Sequence, residues 1–373
     1  MRIDETDKKW LNLAAELAGK GRGRVNPNPM VGCVLVQNNE LISEGWHSEY
    51  GGPHAEVMAV QNAEVSVTGS TAYVSLEPCN HHGKTGPCSE YLIEAGVQRV
   101  VFGAPEAGSI AKGGSKRLKE AGIEVCGPIK EFSLGEGVDP GYFFNARHDC
   151  TYLALKLAVS GDYKISSRPG ERTCLTGPES NDEVHWIRSG FDGIMVGANT
   201  VRVDDPLLTV RGRSLNPRIP PTRIVISTDG DLPVKGNLFG DTDVAPVLVI
   251  VSEKAPGENI DMLKCSGARV EVVRSIDEKV DLSEAMDLMW TEGIKSILCE
   301  GGAELSESMC SLDLVQRLYL FRTVPILGPN AVSVFCEDTA PWGSEGWRTT
   351  GGPRILGRDS LITYDRESKC LLV

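Results

Sequence analysis

Four of the six histidines in this 373-residue chain fall between positions 47 and 82, and Cys79 and Cys88 belong to the same stretch. His54 opens "PHAEVMAV", Glu56 follows it by two, and the two cysteines bracket "CNHHGKTGPC". Thiolates and imidazole are the ligands that zinc prefers. A hydrolytic site uses three protein ligands and keeps a fourth position for water. His54, Cys79 and Cys88 would supply three. His54 follows Gly51-Gly52-Pro53 and Cys88 follows Gly86-Pro87, so both should stand at helix N-termini. Backbone N–H groups there favour anionic ligands. Glu56 lies close enough to take a proton from a metal-activated water without joining the ligands. The alternative is a closed structural zinc, with His81 or His82 as the fourth ligand.

Such a site needs a scaffold, and composition limits which. The chain is long for one core, so two domains are expected. Its formal net charge of −13 disfavours nucleic acid as the main partner. The first residues carry acids early and lack a continuous apolar stretch, and no apolar run is long enough for a membrane span. Eleven cysteines without an export signal fit a reducing compartment, the cytoplasm. A small-molecule partner is expected, and homo-oligomerisation is left open.

Apolar spacing predicts a helix over 7–19 capped by Asp7, then a hairpin turning at Asn38-Asn39. A helix from about His54, a strand over Thr71–Leu76, a helix at Cys88 and the strand "RVVFGA" follow. Residues 1–150 thus read as one three-layer α/β domain. At "CTYLALKLAVSGD" the alternation restarts, and residues 151–373 form a second α/β domain.

His-x-Glu followed by Pro-Cys…Cys is the signature of zinc nucleobase deaminases, where two residues usually separate the cysteines. Here eight intervene, from Asn80 to Pro87. With that loop, "NPNPMVGCVLV", "GWHSEYGGPHAE" and "SLEPCNHHGKTGPC" resemble the deaminase domain of the bifunctional riboflavin-biosynthesis deaminase/reductases. The resemblance implies a cytidine-deaminase-like α/β/α fold, zinc on His54, Cys79 and Cys88, and Glu56 as catalytic proton carrier. It also implies substrate contacts at Asn28, His47, His81 and Lys84. Read as residues, Lys84 suits a phosphate, and Asn28 is either an amide for a pyrimidine edge or a turn residue in "NPNP".

The second domain has no G-x-G-x-x-G after a strand. It does have paired glycines between a strand and a helix in "SILCEGGAELSES", where backbone N–H groups can approach a phosphate. It also has a polar segment after a strand, "VGANTVRVDDPLLTVR". Together with "LKLAVSGD" these resemble the reductase domain of the same family. That resemblance implies a dihydrofolate-reductase-like fold and NADPH. It implies cofactor contacts at Ala158, Thr200, Asp204, Ser227 and the run Gly302, Ala303, Glu304, Leu305, Ser306, Glu307 and Ser308. Substrate contacts are implied at Lys156, Arg188, Leu208, Arg211 and Glu300, the two arginines being suited to clamp a phosphate.

Two stretches depart from the family's pattern. Ser160-Gly161-Asp162-Tyr163 stands for Ser-Leu-Asp-Gly, and Arg172 and Cys174 stand for a Ser and a Trp. The expected function is zinc-dependent hydrolytic deamination of a diaminopyrimidine ribosyl phosphate. NADPH reduction of its ribosyl group to ribityl would follow. Deaminase activity with a weakened or inactive reductase is the alternative.

Overall fold

The computed structural model describes residues 3–81, 86–108, 111–129, 139–212, 217–335 and 340–367. The chain divides into two compact units, Met1–Asp149 and Cys150–Val373.

The first unit opens with α1 (Glu5–Ala18), β1 (Gly32–Gln37) and β2 (Glu40–Trp46). Then come α2 (Ala55–Gln61), β3 (Thr71–Leu76), α3 (Cys88–Glu94), β4 (Arg99–Ala104), α4 (Gly114–Glu120), β5 (Glu124–Cys126) and α5 (Pro140–His148). Its sheet runs β2-β1-β3-β4-β5, with β3, β4 and β5 parallel and the hairpin strand β1 antiparallel to both β2 and β3. Asp4, not Asp7, caps α1. Its side chain accepts the Asp7 N–H at 2.8 Å, and Asp7 returns a bond to the Asp4 N–H. Asp7 is needed inside the unit, where it holds Arg99 at 2.7 Å and accepts from Tyr73 Oη at 2.9 Å.

Two glycines on the hairpin set the layer spacing. A Cβ on Gly32 would lie 2.0 Å from the Ala14 carbonyl oxygen of α1. One on Gly45 would lie 2.3 Å from the Ala59 nitrogen and 2.6 Å from the Ala55 oxygen of α2. Gly45 pairs with Cys33 and Gly32 with Trp46, so the two glycines face opposite sides of the sheet. One apolar cluster on α1's side gathers Trp10, Leu11, Val34 and Tyr73. The other, on α2's side, gathers Cys33, Ala55, Ala59 and Val74.

The second unit begins with β6 (Tyr152–Val159), β7 (Lys164–Ser166), α6 (Pro178–Arg188), β8 (Gly193–Gly197), α7 (Ala198–Asp204) and β9 (Thr222–Ser227). It continues with β10 (Val247–Ser252), α8 (Gly257–Cys265), β11 (Arg269–Val273), β12 (Ser275–Ile276), β13 (Lys279–Val280) and α9 (Leu282–Thr291). The last elements are β14 (Ser296–Cys299), α10 (Ala303–Ser311), β15 (Arg317–Arg322), β16 (Val332–Ser333), β17 (Trp347–Thr349), β18 (Arg354–Leu356) and β19 (Asp359–Arg366). The main sheet runs β11-β10-β9-β8-β14-β6-β15-β19-β17, with β18 also on β19. From β11 to β15 it is parallel, and β19 joins antiparallel. Strands such as "VLVIVS" are buried throughout and almost wholly apolar, as parallel strands covered on both faces must be. The chain leaves β6 for β8, returns through β14 between them, and so creates a switch point there. Among the described residues no helix is long and apolar enough to cross a membrane.

Gly45→Ala should push α2 off the sheet. The expected cost is about 1–3 kcal/mol, a fall of roughly 3–10 °C in the melting midpoint, read by circular dichroism.

Candidate functional sites at the strand ends

In the first unit the chemistry collects where β3 and β4 end. His54 is the N-cap of α2, Cys79 follows β3, and Cys88 is the first residue of α3. Their ligand atoms all lie within 4.8 Å of one another. His54 Nδ1 is 3.2 Å from Cys88 Sγ and 3.6 Å from Cys79 Sγ, and the Cys88 N–H points at Cys79 Sγ at 3.4 Å. The hydrogen bond from Cys88 holds the Cys79 thiol down, and Cys79 with burial pushes Cys88 up. Two buried sulfurs therefore share one proton beside an imidazole. That donor set fits zinc, which would replace the proton.

Glu56 sits in the first turn of α2 and is 3% exposed. Burial, reinforced by Cys79, pushes its carboxyl up to about 6, a value suited to proton transfer near neutrality. His47 is also buried, its ring 5.4 Å from that of His54. Its Nδ1 donates to the Pro53 carbonyl at 2.9 Å, so Nε2 accepts from the Asn28 amide at 3.2 Å. Asn28 and His47 are thus a hydrogen-bonded pair, with the His47 ring beside His54. His81 Nδ1 is buried and has no hydrogen-bond partner among the described residues. Lys84 and His82 lie outside the described residues.

Residue spacing does not single out the carboxylates behind the site. Glu77 accepts the Ser115 N–H at 3.0 Å and the Glu106 N–H at 3.3 Å. Glu106, itself buried, accepts from Tyr142 Oη at 2.5 Å and from the Gly108 N–H at 2.7 Å. Gly114, first in α4, packs so tightly that a Cβ would overlap the Pro78 carbonyl oxygen at 1.7 Å. These contacts fix the turn that carries Cys79.

In the second unit a cavity of about 1150 Å³ opens at the switch point. Its volume exceeds the roughly 300–1,000 Å³ of ordinary ligand pockets, leaving room for a dinucleotide and a second reactant. Lys156, Ala158, Arg188, Thr200, Asp204, Leu208, Arg211, Ser227 and Glu300 all line it, as do Gly302, Ala303, Glu304, Leu305 and Ser308. Ser306 and Glu307 do not. Helical periodicity turns Ser306 into the core, where its hydroxyl bonds the Gly301 carbonyl at 3.2 Å, and turns Glu307 to solvent. Gly302 caps α10, and Thr200 Oγ1 lies only 3.6 Å from where its Cβ would stand, so the helix N-terminus opens beside Thr200. Arg172 and Cys174 also line the cavity, and the Arg172 charge acts on Asp204.

Glu300 anchors the polar end. Arg188 grips it through Nε at 2.5 Å and Nη2 at 3.0 Å, and Lys156 Nζ lies 3.9 Å away. Burial alone would raise the Glu300 carboxyl, but Arg188 and Lys156 overcome it and hold it at about 2. Burial lowers the Lys156 ammonium. Arg211 forms no ion pair among the described residues and bonds Thr209 Oγ1 through Nη1 at 2.9 Å. His185, which no sequence motif singles out, and Arg188 hold the segment that carries Arg211.

Comparison with known proteins joins the two sites. The cytidine and deoxycytidylate deaminase zinc-binding region matches residues 4–104, and the RibD C-terminal domain matches residues 151–345. The riboflavin biosynthesis protein RibD of Actinobacillus pleuropneumoniae is 32% identical, over 96% of this chain and 95% of its own. That of Escherichia coli is 34% identical over 87% of this chain and 89% of its own. Among solved structures, Acinetobacter baumannii RibD aligns with a TM-score of 0.79 at 28% identity, covering 97% of this chain and 99% of its own. A Thermotoga maritima protein described as a diaminohydroxyphosphoribosylaminopyrimidine deaminase/5-amino-6-(5-phosphoribosylamino)uracil reductase gives 0.79 at 29%, with the same coverage. The expected deaminase-like and reductase-like α/β folds stand, and zinc and NADPH fit the family. The chain belongs to the RibD family of bifunctional riboflavin-biosynthesis enzymes, with deaminase and reductase activities on one polypeptide.

Proposed function

We propose that residues 1–150 deaminate 2,5-diamino-6-ribosylamino-4(3H)-pyrimidinone 5′-phosphate and that residues 151–373 reduce the product's ribosyl group. The observation that carries the first half is a buried Glu56 two residues from a His54–Cys79–Cys88 cluster. His54, Cys79 and Cys88 would hold zinc, which acts as a Lewis acid that makes water acidic near neutral pH. Glu56 takes the proton of the attacking water. It passes that proton to the ring nitrogen as the C2–O bond forms, then carries the second proton from the new C2 hydroxyl to the amine as the C2–N bond breaks. Asn28 and His47 orient the pyrimidine edge, and Lys84 by its chemistry suits the phosphate.

In the second unit, NADPH supplies the hydride for C1′ of the ribosyl group. As the C1′–O4′ bond breaks, O4′ takes a proton, and Lys156 on the cavity wall suits that transfer. Arg211 holds the substrate phosphate, while Glu300 keeps Arg188 and Lys156 in place. The α10 N-terminus, with Gly302 and Ala303, lies beside Thr200, a fitting place for the cofactor's pyrophosphate. The family match across residues 151–345 and the intact cavity favour this over a deaminase with an inert second unit. The substrate is a small phosphorylated pyrimidine rather than nucleic acid. Cytoplasmic location agrees with cysteines that form no disulfide among the described residues.

Incubating the protein with the diaminopyrimidine phosphate and NADPH should release ammonia and oxidise NADPH. Ammonia without NADPH oxidation would refute the second half, and no ammonia would refute the first. Glu56→Gln should lower ammonia release at least ~100-fold with zinc content unchanged by elemental analysis. Cys88→Ala should lose the zinc itself. Glu300→Ala should leave Arg188 buried and unpaired, costing about 3–5 kcal/mol in the second unit. NADPH oxidation should then fall while ammonia release persists.

A further inference from the structure

Arg211 is brought to the cavity by an unusual route. Leu208, three residues earlier, is 3% exposed and has φ 51°, a left-handed conformation rare for a branched side chain. Such a conformation persists only where neighbours fix it. Thr209 to Arg211 belong to no strand, and α6 supplies their hydrogen bonds instead. Arg188 Nη1 donates to the Thr209 carbonyl at 3.1 Å, and the Arg211 N–H donates to His185 Nδ1 at 3.2 Å. His185 and Arg188 are three apart on one helix, so they present an acceptor and a donor on the same face. Together they grip the extended segment by a carbonyl and an amide two residues apart.

An accepting Nδ1 carries no proton. The charged groups that face this ring are Arg188 from its own helix, Arg211 from the segment and Glu300 from the turn after β14. Burial with the two arginines pushes His185 down to about 4, so the ring adds no third positive charge. Arg188 is committed to Glu300 and Thr209, whereas Arg211 makes no ion pair among the described residues and can meet a ligand.

We propose that His185 is a positioning residue for the reductase substrate's phosphate. By accepting the Arg211 amide proton it fixes the segment after Leu208, so that the Arg211 guanidinium meets the phosphate. This rests on the reading of Arg211 given above.

The test uses the full-length zinc-loaded protein, with NADPH oxidation followed on the deaminated substrate and on its dephosphorylated counterpart. His185→Leu keeps the bulk and removes the acceptor. It should raise KM for the phosphorylated substrate about 10- to 100-fold, with kcat within about threefold. Its kcat/KM for the dephosphorylated compound should stay within about twofold of the parent's, as should NADPH affinity. His185→Asn, whose side-chain oxygen can replace Nδ1, should restore most of the KM. Equal losses on both substrates, or an Asn variant no better than Leu, would overturn the role. Arg211→Ala separates the two readings. Full activity in that variant would refute the phosphate contact itself, whereas a large KM effect there with none in His185→Leu would refute only the histidine's part.

Discussion

The constraint behind both sites is that parallel strands covered on both faces leave no room for polar chemistry along their length. Strands β3, β4, β8, β9 and β14 are buried nearly throughout. Apart from Lys156 within β6 and Arg223 within β9, the charged groups of the sites gather beyond the strand ends, where helices begin and backbone N–H groups turn outward. Cys79, Cys88 and His54 occupy such ends in the first unit, and Glu300 and Gly302 in the second. The chemistry differs, but the scaffold selects the same kind of position for it.

Burial then determines how the charges behave. Two of the buried anions are each paired with a cation. Asp7 is held by Arg99 and Tyr73, and Glu300 by Arg188 and Lys156. Burial is the largest influence on all three, but only at Glu56 do the neighbours fail to overcome it, so its carboxyl is raised. Glu300 is thereby kept ionised as an anchor, while Glu56 is poised to exchange a proton. Two buried carboxylates thus gain opposite properties from their neighbours.

Legibility in the sequence followed contact distance along the chain. The ligand set is local: His54, Glu56, Cys79 and Cys88 lie within 35 residues, and their spacing alone suggested the chemistry. The cavity of the second unit joins Lys156 to Ser308, and only family resemblance collected those residues. That resemblance named a continuous run through α10, but a helix cannot present consecutive residues to one side, so Ser306 and Glu307 fell away. Asp7 looked like a cap because an acid at a helix start usually is one. Its burial against Arg99, 92 residues on, could not be read locally. His185 and Glu106 escaped for the same reason, since each acts on backbone from another element.

The departure at Ser160-Gly161-Asp162-Tyr163 shows how a changed motif can keep its turn. A Cβ at Gly161 would lie 2.8 Å from Ile326 Cδ1 and 3.1 Å from the Val324 oxygen, so a side chain there would make Ile326 shift. Tyr163 takes φ 60°, a conformation glycine would adopt freely. The cost is offset by contacts that glycine could not make. The Tyr163 ring stacks on Trp342 at 5.1 Å, and Arg322 sits 4.9 Å above it. Asp162 meanwhile accepts the Leu327 and Gly328 N–H groups, tying the turn to the segment that leads to β16. Ser166 of β7 and Val332 of β16 pair with each other and both line the cavity. The aromatic contacts therefore hold a cavity wall in place, and a replaced glycine here marks a rebuilt support rather than a decaying reductase.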